Sequence, residues 1–409
     1  MSAFSPKSRL PYGLIIFFGC VLATIPFGPR ATMGFFLTPI TVENGWNREI
    51  FSLAIALQNL VWGIAQPFAG MIADRFGTAR VLVSGALIYF VALYWMSTVT
   101  DPTVFTLSAG LLMGVGIAGC AFFLILAAFT RLLPPSLRSV AFGLGTAAGS
   151  LGQFLYSPIS QYLIADYGWR TALIILAASV LIVPLLAPIF RGKPESVTSA
   201  DGAKDQSLIE AMTEAFTHRS YILLVFGFFV CGWHVAFITT HLPPFISDMG
   251  IDAKWGGWAI ALIGLFNMAG SFVAGIMGNK MALRTMLSFI YLARAVIIAI
   301  FLMVPISVAS ILVFSAAMGL LWLSTVPPTQ GLITKMFGTR YVATLFGFVF
   351  LSHQIGAFLG VWLGGILYDQ TGSYDIIWWL SIALGIFAAL VHWPIKEEPV
   401  ERLQAQHAR

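Results

Sequence analysis

The stretch YGLIIFFGCVLATIPFGPRATMGFFLTPIT, Tyr12 to Thr41, decides the architecture. As helix it is about 45 Å long at roughly 1.5 Å per residue, more than the ~30 Å of a bilayer's hydrocarbon core. Its one charge, Arg30, therefore lies within the membrane. An arginine at that depth costs about 2.5–3.5 kcal/mol on insertion scales and survives where it faces a protein interior or a wet cavity. Pro26 and the pair Gly28-Pro29 remove helix hydrogen bonds just ahead of it and permit a kink, as membrane helices do where they line cavities. Arg30 is thus a candidate functional residue. The plain alternative is an arginine bonded to backbone carbonyls or reaching outward to the interface.

The rest of the chain agrees with a membrane setting. Of its 409 residues 58% are hydrophobic and 10% charged, with mean hydropathy +0.88, against about 25% charged in soluble domains. The first span begins about ten residues in and is far longer than a secretory signal's apolar core, so it reads as uncleaved. Cys20, Cys120 and Cys231 all fall in apolar stretches, which leaves neither a disulfide framework nor metal-ligand spacing and assigns them to packing. No nucleotide-binding loop, HExxH run, GxSxG elbow or paired catalytic carboxylate occurs. The sequence therefore predicts a non-enzyme that works without ATP or cofactor and has no nucleic-acid partner.

Apolar runs bounded by charge and turn signals number twelve, at 12–41, 48–72, 78–98, 104–130, 138–163, 169–190, 219–247, 255–278, 285–304, 308–334, 341–367 and 374–394. The predicted fold is all-α, with a six-helix half over 1–190, a linker at 191–218, a second six-helix half over 219–395 and a tail at 396–409. With a cytoplasmic N-terminus, 17 of the 22 Lys and Arg residues face the cytoplasm. These are Lys7, Arg9, Arg75, Arg80, Arg131, Arg138, Arg191, Lys193, Lys204, Arg219, Lys280, Arg284, Lys335, Arg340, Lys396, Arg402 and Arg409. Only Arg48, Arg170 and Lys254 lie outside, and Arg30 and Arg294 are intramembrane. The positive-inside rule then places both termini in the cytoplasm of a multi-pass plasma (inner) membrane protein, expected to be monomeric. Within the linker, Ser207 and Glu210 have capping-box spacing, and Leu208, Met212 and Phe216 share a face, which predicts a short amphipathic helix on the membrane surface joining the halves.

The halves repeat. A shift of 204 residues pairs Pro39 with Pro243, Thr130-Arg131 with Thr334-Lys335, Gly143 with Gly347 and Gly168 with Gly372, and sets His234 opposite Arg30. One residue more sets GMIADR at 70–75 against GIMGNK at 275–280. Two parallel six-helix repeats imply a substrate site between them near the midplane.

The loop after the second span reads Gly70-Met-Ile-Ala-Asp74-Arg75-Phe-Gly77-Thr-Ala-Arg80. It resembles the signature loop of the major facilitator superfamily, G-x-x-x-D-R-x-G-x-x-R. The resemblance implies that Asp74 and Arg75, with Gly70, Gly77 and Arg80, form a cytoplasmic conformational latch; in the second copy, Asn279-Lys280 has lost the acid. Across nearly its whole length the chain is similar to the monocarboxylate transporter and oxalate:formate antiporter branch. The similarity is carried by Gly28-Pro29-Arg30 followed by GFFLTPI, by GWNRE with SLAIALQNLVWG, and by Arg138, Ala141 and Gly143 in span five. Span eight, 255 to 278, lacks the charges found in that branch. Span eleven carries His353-Gln354 where the antiporters have Lys.

All 17 Asp and Glu residues fall in loops, the linker, the tail or, for Glu49 and Asp375, the outermost turn of a span. A cavity holding Arg30 without an acid favours an anion, and an Arg fork suits a carboxylate while never losing its proton. The residues expected to bind substrate are Arg30, His234, His353, Gln354, Asn59, Gln153, Tyr156 and Trp322. His234 and His353 are the intramembrane groups able to carry a proton; hydrogen-bonded packing is the alternative for each. Arg294, in IYLARAVIIAI of span nine, is read as a brace between helices or a coupling residue, with substrate contact as the alternative. PPTQ at 327–330 should bend span ten. These features predict secondary transport of small organic anions, chiefly monocarboxylates, by proton symport or anion exchange. The rival readings are efflux of apolar compounds and a non-transporting membrane sensor.

Overall fold

The computed structural model describes residues 10–192, 206–278, 280–338 and 340–407. Lys7, Arg9, Lys193, Lys204, Asn279 and Arg409, used above for orientation or the repeat, lie outside the described residues. So does the first half of the linker.

Apolar helices long enough to span a membrane run over Tyr12–Asn44, Arg48–Phe76, Thr78–Met96, Pro102–Leu132, Ser136–Phe190, Arg219–Asp248, Lys254–Met277, Leu283–Met303, Val308–Phe337, Val342–Thr371 and Asp375–His392. In hydrocarbon every backbone N–H and C=O has to be satisfied internally, and such unbroken apolar runs achieve that as helix. Counted by continuity, they are eleven among the described residues. The difference from twelve lies at Gly168, where φ 79° and ψ 158° turn the chain between spans five and six with no intervening loop. A side chain is strained in that conformation, and glycine makes the corner possible. Dividing there gives the twelve-helix, two-half architecture.

Spans one, four and ten are interrupted near their middles. Span one is helical over Tyr12–Ala31, tightens over Met33–Phe36 and resumes over Leu37–Asn44. Span four breaks at Ala121, which is extended (φ −60°, ψ 141°) between Met113–Cys120 and Phe122–Leu132. Span ten breaks over 322–325, between Val308–Leu321 and Val326–Phe337. Ala121 and Thr325 stand 204 residues apart, the offset of the sequence repeat, so the two halves carry the same interruption.

The halves meet where span two packs on span eleven and span five on span eight. At the end of the bundle away from the termini this seam is backbone-tight. A Cβ added to Gly34 would strike the carbonyl oxygens of Thr239 and Thr240 in span seven; one on Gly264 would meet Ser150 O at 2.8 Å and one on Gly365 the Ser52 Oγ at 2.5 Å. Toward the termini a Cβ on Gly70, Gly143, Gly275 or Gly347 would meet nothing within 4 Å. The bundle is closed at the far end and parted at the terminal end.

The linker helix, Leu208–Thr217, has the predicted capping box, Ser207 Oγ accepting from Glu210 N–H and Glu210 from Ser207 N–H. Those bonds hold the exposed Glu210 carboxyl below the usual carboxylate range. The buried face is Ala211 and Ala215, whereas Leu208 and Phe216 stay exposed. The helix belongs to the second half: Tyr341 Oη donates to Gln206 O at 2.8 Å and Arg402 pairs with Glu214 at 3.4 Å. The tail is also docked. Val400 N–H donates to Met336 O, Lys335 pairs with Glu397 at 2.9 Å, and Glu401–His407 is helical.

Candidate functional site

Arg30 occupies the last turn of the first segment of span one, where the backbone is about to leave the α-helix. The negative end of a helix dipole favours a cation there. The side chain is half-buried between Trp62, 4.5 Å from guanidinium carbon to ring centroid, and Phe27 at 5.5 Å. Nη2 donates to Asn59 Oδ1 at 3.0 Å, and Asn59 is fixed by its own Nδ2 bond to Ile55 O. Nε is buried without a hydrogen-bond partner. No carboxylate among the described residues pairs with this cation.

Span eleven supplies the facing wall. Gln354 Nε2 donates to Asn59 O at 2.9 Å, across the seam, and its Oε1 lies 2.9 Å from His353 Nδ1. His353 stacks on Phe350, which also meets the edges of Trp62 and Phe123. A Cβ on Gly63 would reach within 2.7 Å of Gln354 Cγ, so glycine there lets span two approach the glutamine. Arg30, Asn59, Gln354 and His353 thus form one chain of polar groups joining the halves.

The other predicted residues are elsewhere. His234, despite standing opposite Arg30 in the repeat, is fully buried with Nε2 2.8 Å from Ser381 O of span twelve. Gln153 donates to Ile260 O at 3.0 Å and ties span five to span eight. Tyr156 lies flat on Gly28 and donates from Oη to Ser179 Oγ at 3.1 Å, which braces spans one, five and six. Trp322 is buried at the break of span ten. Arg294 is fully buried, and its Nη2 donates to Leu321 O at 2.6 Å and to Trp322 O, carbonyls freed by that break.

Asn267 of span eight was not found from sequence. Its Oδ1 accepts from Leu323 N–H in the break and its Nδ2 donates to Ser150 Oγ of span five, both at about 2.9 Å or less. One amide therefore satisfies an orphan backbone donor and crosses the seam. An asparagine inside an uncharged apolar span was the available signal.

In the 70–80 loop, Gly77 closes the span-two helix at φ 98° and Asp74 faces the charge of Arg131. Arg131 itself bonds Thr78 Oγ1 at 2.7 Å and Gly192 O at 2.8 Å. At the far end Arg48 makes a bidentate pair with Asp248 of span seven, both bonds 2.7 Å, and donates to Tyr374 Oη. Asp369 of span eleven caps the span-two helix through the N–H groups of Arg48 and Glu49.

The Major Facilitator Superfamily profile matches residues 12–360 and 256–409, nearly all of the chain. The chain belongs to that superfamily. This facilitator is 26% identical to the uncharacterized MFS-type transporter YcxA of Bacillus subtilis, over 85% of this chain and 86% of YcxA. It is 24% identical to monocarboxylate transporter 13 of Rattus norvegicus, covering 80% and 74%, and 25% identical to the probable sulfoacetate transporter SauU of Cupriavidus necator, covering 92% of both. Among solved folds it superposes on an inward-facing bacterial homologue of the human lysosomal transporter Spinster with TM-score 0.72, at 15% identity over 94% of this chain and 97% of that one. The facilitator is accordingly a multi-pass membrane transporter rather than an enzyme.

Proposed function

We propose that this facilitator carries small organic anions, chiefly monocarboxylates, across the plasma (inner) membrane by alternating access, with proton symport or exchange for a second anion. The observation that carries the reading is Arg30: a guanidinium at the break of span one, unpaired with any described carboxylate, with its buried Nε free. The names of two relatives, a monocarboxylate transporter and a probable sulfoacetate transporter, support an anionic substrate. Positive-inside asymmetry makes the terminal end cytoplasmic, so the described arrangement is inward-open. Arg48, Asp248 and Asp369 then act as the outer gate, and Asp74, Arg75 and Arg80 belong to the latch that closes the inner end. A carboxylate crossing with a proton is electroneutral and avoids about 2.3 kcal/mol per charge per 100 mV.

The test is uptake of labelled lactate, pyruvate, formate, oxalate and larger aromatic or branched acids into proteoliposomes, with and without an inward proton gradient. Arg30→Gln should abolish saturable uptake of the acid that wild type accepts; full uptake with unchanged KM would remove Arg30 as the anchor. The rings of Trp62 and Phe27 against the guanidinium, with Phe350 on Trp62 and Phe123 on Phe350, favour one alternative, efflux of apolar compounds. That alternative leads if wild type moves no acid but lowers the accumulation of apolar dyes.

A further inference from the structure

His241 of span seven sits behind the outer gate and reaches it through one hydroxyl. Its side chain is fully buried. Nε2 is 2.9 Å from Val361 O of span eleven, and Nδ1 is 3.2 Å from Tyr374 Oη at the start of span twelve. A Cβ on Gly364 would lie 2.5 Å from Nε2, so glycine there leaves span eleven room for the imidazole. The same Tyr374 Oη accepts from Arg48 Nη1 at 2.8 Å, and Arg48 makes the bidentate pair with Asp248.

The chemistry of the partners places each hydrogen. A carbonyl oxygen only accepts, so Nε2 carries the imidazole hydrogen and Nδ1 presents its lone pair. An arginine only donates, so the Tyr374 oxygen accepts from Arg48 and its own O–H donates to Nδ1. The row from Arg48 through Tyr374 and His241 to Val361 is therefore complete with a neutral imidazole. A proton added at Nδ1 breaks it. The tyrosine O–H loses its acceptor, and an imidazolium and a guanidinium then point at one phenol oxygen, where little water screens their repulsion.

No acid stands ready to offset that charge. Asp248 is occupied by Arg48, and Asp369 of span eleven by the N–H groups of Arg48 and Glu49 in span two. Tyr368 of span eleven lies with its ring 3.7 Å from the Arg48 guanidinium carbon. Asp375 of span twelve is exposed, Lys254 of span eight pairs with Asp252, and Glu43 of span one is held by Trp169 and Arg170. On its own span His241 meets the ring of Phe237.

We propose that His241 is an external acid sensor of the outer gate, neutral while the gate is shut and protonated at Nδ1 when the gate opens. Protonated, it keeps Arg48 from returning to Tyr374 and Asp248. The shut form excludes the proton and the open form admits it, so acid favours the open form. The proton comes from the outer solution and returns there before closure, so the sensor sets how much of the protein faces outward and adds nothing to the transported charge. It rests on the placement of the far end outside under the reading above, and not on which acid is carried.

The experiment measures spin-label distances across the far end in full-length protein reconstituted in nanodiscs. Labels sit at Thr103→Cys and Met249→Cys, exposed at the far ends of spans four and seven, with Cys20→Ser; Cys120 and Cys231 are buried. The ratio of long to short distances should rise about tenfold from about pH 7.5 to about pH 5.5, the factor for a histidine that titrates near its ordinary value of about 6.5 in the open form alone. His241→Gln and His241→Asn cannot take up the proton, and whichever keeps the wild-type gel-filtration profile should hold the ratio constant over that range. A wild-type ratio that does not move, or a neutral variant that follows pH as wild type does, overturns the sensor. Failure of the carboxylate reading has a different signature: wild type takes up no labelled acid in proteoliposomes while the distances still follow pH through His241.

Discussion

Arg30 is held by a single side-chain hydrogen bond, to Asn59, and by ring contacts with Trp62 and Phe27. A lysine there keeps the charge and loses the planar fork, so it is not a conservative change. Arg30→Lys should lower kcat/KM by roughly tenfold to a hundredfold, about 1.5–3 kcal/mol for one charge-assisted bond, chiefly through KM in dose-response uptake. Arg30 was legible in the sequence because a charge inside an apolar run is costly. His353 and Gln354 were legible as polar neighbours in span eleven. The contacts of Cys231 with Arg294 and Thr325 were not, because those partners lie 63 and 94 positions away and a uniformly apolar helix does not announce which face meets them. His234 is placed differently. It matches Arg30 in the repeat, but span one is interrupted just past Arg30 whereas span seven runs unbroken over Arg219–Asp248, so the side chain turns to span twelve instead.

At the scale of the element, span ten shows how a broken helix is paid for. The dipeptide Pro327-Pro328 led to an expected bend, and the structure puts the interruption just ahead of it, over 322–325, because the prolines sit in the first turn of the new helix where their missing N–H groups are tolerated. The carbonyls left behind go to Arg294 and the Leu323 N–H to Asn267. Arg294→Met strands two buried carbonyls at about 1–3 kcal/mol each, so thermal melting in detergent should fall by several degrees. Were the midpoint unchanged, the arginine would not be the brace. Asn267→Ala should destabilise less, since water or Ser150 can rearrange, but it should weaken the seam and raise the reactivity of an engineered Ser150→Cys toward a thiol reagent. The linker and tail were legible as polar segments, and their docking was not: it depends on the ends of spans nine, ten and eleven being brought together by the fold.

For the whole molecule, the twelve spans, the two halves and the repeat offset all follow from apolar length, charge asymmetry and self-similarity. The closed far end does not, since it is one of at least two arrangements of the same helices. Arg48 and Asp248 hold it closed with side chains 12% and 23% exposed, a partly screened pair worth about 1 kcal/mol. Asp248→Asn should therefore shift the population toward the far-end-open form by roughly fivefold. Ser52, buried against Gly365 in the closed form, reports this as Ser52→Cys, whose labelling by an impermeant thiol reagent should speed up accordingly. An unchanged rate would take the ion pair out of the gate. Gly365→Val should go further and hold the far end open, seen as a lengthened spin-label distance across the seam and loss of net uptake.

That seam is built from glycines laid on backbone, and its composition has a thermal consequence. Long side chains that lock together lose rotamer freedom on closing, about 1.5–2 kcal/mol for the most flexible, whereas glycine has none to lose. A joint of bare backbone therefore closes with little entropic penalty from its own parts, and its balance between shut and open should drift only slightly as the membrane warms or cools. The ion pair above it, whose hydration weakens with heat, is then the component through which temperature would adjust the resting posture of the protein.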